Sequence, residues 1–129
     1  MMIKRKVRGM AAQNIKTVTY SKEHMDIVKS GIGEIRRVLF GSDSAETDSL
    51  LFCLDYFLDP YYKQDIPHKN DIFTLLEEFA VTSENEEQVN DALQLLNYCT
   101  RPLPVLEKNF ENIIEVEKEY AMYVLHPDT

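Results

Sequence analysis

The stretch TSENEEQVNDALQLLNYCTRP, residues 82–102, carries a helix start, an apolar stripe and a stop in a single reading. Ser83 and Glu86 have the spacing of a capping box, in which the serine oxygen and the glutamate carboxylate each satisfy a backbone N–H that the first helical turn leaves unpaired. Val89, Ala92, Leu93 and Leu96 recur at i, i+3, i+4 and i+7 and share one face, with Asn90, Asp91, Gln94 and Asn97 outside it. Pro102 has no N–H to donate and disfavours helical geometry at Arg101. The spacing predicts a helix over about 84–100, with Leu93 and Leu96 buried and Glu86, Glu87 and Asp91 in water.

The same pattern occurs 42 residues upstream. TDSLLFCLDYFLDP, residues 47–60, lies over VNDALQLLNYCTRP, residues 89–102, matching Leu51 to Leu93, Leu54 to Leu96, Tyr56 to Tyr98 and Pro60 to Pro102. The matches mark equivalent events: two stripe positions, a distal aromatic and the terminating proline. A period near 42 with two helices per unit falls in the range of HEAT and armadillo arrays, whose units stack because none buries its apolar face alone. The expected architecture is therefore all-α, with about five helices in HEAT-like antiparallel pairs behind an N-terminal capping helix. A plain helical bundle is the alternative.

The rest of the chain fits that scheme. Ser21 caps a first helix whose stripe is Met25, Val28, Ile32, Ile35 and Leu39, interrupted by Gly31 and Gly33 and closed near Gly41, so residues 21–41 form the capping helix. A second helix starts at Asp43 or Ser44, where Asp43 and Glu46 again have capping spacing, with Leu50, Leu51, Leu54, Phe57 and Leu58 inward, and is ended by Asp59-Pro60. Tyr61 to Asn70 reads as a loop in which Tyr61 and Tyr62 cannot both face one core. A third helix from Asn70 or Asp71 carries Ile72, Phe73, Leu75, Leu76, Phe79 and Ala80 and completes the first pair, residues 43–81. Pro104 suits the first turn of a last, longest helix to about residue 125, with Glu111, Glu115, Lys118 and Glu119 outward, giving a second pair over 83–125. Residues 1–20 show no helical period and read as a basic arm with a possible short extended piece at 16–20.

At 129 residues the chain suits one domain, here residues 21–129. No run approaches the ~18 apolar residues of a membrane span. Residues 1–20 lack the apolar core of a secretory signal, which places the protein in the cytosol. Cys53 and Cys99 sit inside apolar faces and suggest neither a disulfide framework nor a zinc site. Lys4, Arg5, Lys6, Arg8, Lys16 and Lys22 stand with no acid before residue 23; the whole chain is at −8, so the remainder carries −14. An acidic body repels nucleic acid and attracts cationic partners; nucleic acid or lipid headgroups could be met only through the basic arm.

Catalytic patterns are missing. His24, His68 and His126 have no nucleophile or carboxylate at a spacing that assembles a triad, and there is no G-x-S-x-G turn and no G-x-x-x-x-G-K loop. Glu111, Glu115 and Glu119 share a helical face that Lys118 moderates, but no Glu-x-x-His pair accompanies them. The expectation is a non-enzyme without cofactor or metal. Asp55, Asp59, Glu84, Glu86, Glu87 and Asp91 lie on or beside the two echoed helices, and could form one acidic ridge for a protein partner with Tyr61 or Tyr62 as anchor.

NDALQLLNY, residues 90–98, followed by PLPVLEKNFENI, residues 102–113, in a small acidic helical body, resembles small bacterial immunity proteins of toxin systems over about residues 43–124. The resemblance implies binding and occlusion of a basic, nuclease-type toxin; the basic arm departs from it. The alternative is a structural adaptor or repeat scaffold that binds a peptide or helix of a partner.

Overall fold

The computed structural model describes residues 2–6 and 15–127, and residues 2–6 and 15–19 in their backbone alone. β1 (Met2–Lys6) and β2 (Ile15–Thr19) pair antiparallel, with Met2 opposite Thr19 and Lys6 opposite Ile15. The contacts expected of the basic arm's side chains lie outside the described residues. From residue 22 onward every regular element is helical. Among the described residues seven α-helices stand where about five were expected: α1 (Lys22–Ser30), α2 (Ile32–Leu39), α3 (Ser44–Leu58), α4 (Lys69–Thr82), α5 (Glu86–Leu96), α6 (Pro104–Lys108) and α7 (Lys118–Leu125).

Both additional helices arise from breaks. The single capping helix expected over 21–41 splits at Gly31, whose φ of 125° is a left-handed conformation that only glycine adopts readily. Val28, Ile35 and Leu39 nevertheless all reach the core, because the break re-aims the second half of their stripe. The long last helix is divided into α6, 3-10 turns at Phe110–Asn112 and Glu115–Glu117, and α7. Two extended residues interrupt it, Ile113 (φ −69°, ψ 139°) and Ile114 (φ −52°, ψ 137°), and Ile113 is buried while Ile114 packs against the core.

The start of α5 also differs. α4 runs on to Thr82, Ser83 becomes its C-cap, and Asn85 is the residue that caps α5 by accepting the Gln88 N–H at 3.1 Å. Ser83 instead accepts from the Asn85 N–H, so the capping box does not form. α5 stops at Leu96 rather than near residue 100. At α3 the cap is as the sequence indicates, Asp43 accepting from the Ala45 and Glu46 N–H groups.

A continuous core runs through the helices. Leu50, Leu54 and Phe57 of α3, Ile72 and Leu76 of α4, and Val89, Leu93 and Leu96 of α5 are essentially free of solvent. Each contributes roughly 1.5–3 kcal/mol by leaving water. Short connections make α2 with α3 and α4 with α5 antiparallel neighbours, residues 40–43 and 83–85 leaving no room for anything else. The longer segment 59–68 carries the chain across to α4. The hairpins therefore begin one helix earlier than the division into 43–81 and 83–125.

Contacts 42 to 44 residues apart tie these hairpins side by side. Arg36 of α2 donates to Glu78 of α4 at 2.9 Å. The Gln88 amide at the start of α5 donates to the Ser44 carbonyl at 3.0 Å at the start of α3. Tyr98, just past α5, donates to Asp55 near the end of α3 at 2.9 Å. α3 and α5 consequently run in the same direction with matching ends together.

Candidate functional site

The parallel packing of α3 and α5 leaves a groove of about 210 Å³ between their C-terminal halves, lined by Leu51, Phe52 and Asp55 from α3 and Asp91, Gln94, Leu95 and Tyr98 from α5 and its continuation. The apolar stripes turn inward to the core, so the flanking positions of each helix meet at the rim. Asp91 is half-buried there rather than fully in water, as the sequence had suggested.

Tyr98 organises the acids around it. Its hydroxyl donates to Asp55 and lies 3.3 Å from an oxygen of Asp59. Burial, then the hydrogen bond to Asp55 and the negative charge of both aspartates, pushes its ionisation far above the ordinary tyrosine range, so it stays a neutral donor. The other oxygen of Asp59 accepts the Tyr61 N–H at 2.9 Å and caps the 3-10 turn Pro60–Tyr62. That turn projects Tyr61 into water, 80 % exposed, and tucks Tyr62 against Tyr56. Tyr56 in turn meets Tyr20, which stacks on Phe52 with centroids 4.7 Å apart. An aromatic wall thus adjoins the acidic groove. Tyr20 is also raised well above the usual range, mainly by burial and then by the neighbouring Tyr62 hydroxyl.

The eight residues singled out from the sequence do not form one ridge. Asp55, Asp59, Tyr61, Tyr62 and Asp91 gather around or beside the groove. Glu84, Glu86 and Glu87 lie at the opposite end of α5; Glu87 borders a separate hollow with Ser44, Asp48, Asn85 and Gln88. At 1.5 Å per residue, Glu87 and Tyr98 are about 16 Å apart along the axis.

Other polar side chains turn out to be structural. Glu77 of α4 is fully buried; it accepts the Leu106 N–H at 3.0 Å and faces Arg101 at 3.5 Å. Asn90, expected outside the α5 stripe, is buried and donates to the equally buried Glu117 at 2.8 Å, while Gln94 donates to Asn90. Asn97 donates to the Tyr120 hydroxyl. The expected Glu111, Glu115, Glu119 face is broken up, because Glu111 and Glu115 belong to different 3-10 turns and Lys118 spans them at 3.3 and 3.2 Å. The Lys118 ammonium is held above its usual range by those bonds, the one to Glu115 first.

The histidines stay apart: His24 is buried in α1 with Nε2 3.3 Å from Glu46, and His68 bonds the Val28 carbonyl at 2.7 Å, which requires its Nε2 to carry the proton. Cys53 is buried, its thiol pushed up by burial. Among the described residues no group of three or more His, Cys, Asp or Glu is placed to hold a metal ion, and no helix is long and apolar enough to cross a membrane. No protein-family model, curated protein or solved structure matches this chain significantly.

Proposed function

We propose that this chain is a non-catalytic protein-binding module whose α3/α5 groove receives a cationic segment of its partner, most concretely as an immunity protein that occludes a basic, nuclease-type toxin. The observation that carries the reading is the convergence of Asp55, Asp91 and the donor Tyr98 on one groove, with Tyr61 projecting beside it. Carboxylates accept from guanidinium or ammonium groups, apolar walls such as Leu51, Phe52 and Leu95 cover the stem of a long side chain, and an exposed tyrosine is a common interface anchor. The −8 charge of the chain adds long-range attraction to a basic partner.

A second reading, a HEAT-like scaffold for a partner's peptide or helix, draws support from the same-direction neighbours α2–α4 and α3–α5 linked across 42 to 44 residues. The experiment that separates the two is to look for a toxin gene beside this one and to co-express its product with the chain. Immunity requires restored growth, a complex that weakens between 50 and 500 mM salt, and loss of rescue in the Asp55→Asn, Asp91→Asn double variant. A toxin that kills equally with and without the protein, and forms no complex with it, rules immunity out.

A further inference from the structure

Among the described residues five large apolar side chains are exposed, and three of them, Val116, Met122 and Tyr123, fall within eight residues, at 61 %, 45 % and 53 % accessibility. Scattered exposed apolar groups are ordinary, whereas a cluster marks a contact surface. The cluster follows from how α7 is seated. Ala121 and Val124 of α7 are buried together with Glu117 of the preceding 3-10 turn, while Met122 and Tyr123 of α7 and Val116 of that turn stay exposed. Tyr123 stacks on Tyr120 with centroids 6.1 Å apart and planes 11° from parallel, extending the apolar surface toward α5.

Acids border it. Glu115 of the 3-10 turn and Glu119 in the first turn of α7 are exposed, and between residues 110 and 125 the one cation is Lys118, already engaged by Glu111 and Glu115. We propose that this α7 face is a second docking surface, separate from the α3/α5 groove, and that its occupant is a basic amphipathic helix of a partner protein. The apolar stripe of such a helix covers Val116, Met122 and Tyr123, and its flanking lysines or arginines meet Glu115 and Glu119. A second copy of this chain is the poorer fit, since it brings like-charged glutamates together at a net −8 per copy.

The test uses the full chain, isotopically labelled, titrated with a synthetic Leu/Lys amphipathic helix and with a Gln/Lys peptide of equal charge. Amide shifts centred on residues 115–125, and binding of the Leu/Lys helix at least about ten-fold tighter than the Gln/Lys peptide, are expected. The Met122→Ser, Tyr123→Ser double variant, with its fold checked by circular dichroism, should lose that ten-fold, while Asp55→Asn, Asp91→Asn should keep it. Shifts centred on the α3/α5 groove, or equal affinity for the two peptides, overturn the proposal. So does self-association of the free chain abolished by the α7 double variant, which would make the occupant a second copy. None of these outcomes bears on toxin rescue through the groove.

Discussion

Replacing Glu77 with alanine removes a carboxylate that joins α4 to the segment entering α6. The side chain is 0 % exposed, with one oxygen on the Leu106 N–H at 3.0 Å and the other 3.5 Å from the Arg101 guanidinium. Arg101 also bonds the Asn70 carbonyl, the Thr74 hydroxyl and the Pro102 carbonyl at 3.1, 3.0 and 2.7 Å, so it closes the clasp on the far side. Alanine leaves a buried N–H unsatisfied, roughly 1–3 kcal/mol, and takes away the carboxylate facing a cation. Breaking a fully buried pair costs about 3–5 kcal/mol. Arg101 retains 28 % of its side-chain exposure and three other acceptors, which lowers that figure. A loss of about 3 kcal/mol results, equivalent to a Tm about 10 °C lower for a chain of this length. Glu77→Gln keeps an acceptor for Leu106 and should lose only about 1–2 kcal/mol. Urea unfolding followed by circular dichroism, with a double-mutant cycle to Arg101→Ala, measures both. A loss below about 1 kcal/mol for alanine, or additivity of the two single variants within about 0.5 kcal/mol, would refute the clasp.

Gly31→Ala should destabilise by roughly 1–3 kcal/mol, because φ of 125° strains any Cβ, whereas Gly33→Ala, in α2 with open space around the new methyl, should stabilise by up to about 1 kcal/mol; thermal melts showing both variants shifted the same way would contradict this. Asn90→Ala removes one donor from the buried Glu117 carboxylate and should cost about 1–2 kcal/mol in the same unfolding assay, while Gln94→Ala, at an exposed position, should cost well under half of that. Tyr98 and Tyr20 ionise above the ordinary value of 10.0, so the unfolded chain releases those protons first. Their contribution to stability is complete below pH 10 and is lost as pH rises beyond it. Alkaline unfolding should therefore set in above about pH 10, and Tyr98→Phe should flatten that slope; an unchanged slope, followed by circular dichroism alongside phenolate absorbance, counts against the burial of Tyr98.

Local signals were legible wherever one segment contains its own answer. Asp43 caps α3, Asp59-Pro60 ends it, and Val89, Ala92, Leu93 and Leu96 bury together, because capping geometry and the 3.6-residue period depend on neighbours a few positions away. Tyr98, matched to Tyr56 by the 42-residue spacing, bonds Asp55, the residue just before Tyr56. The boundary between α4 and α5 was misplaced because Ser83 and Asn85 are both competent caps, and the length of α4 decided between them.

What the sequence by itself determined is the helical class, the apolar stripes and the acidic body set behind a basic arm, all of them consequences of residue type and spacing along one chain. Tertiary structure alone decided which polar residues face water. Asn90 looks like an outer position on its own helix, and Glu77 stands among apolar residues without a partner of its own, yet each is buried by an element at least 24 residues away that brings its partner with it. It also divided the acids into a groove at one end of α5 and a separate group at the other. A helix rotates every carboxylate to a fixed angle, but only the neighbour packed against it determines whether that angle points to solvent, to a buried donor or across a groove to another acid.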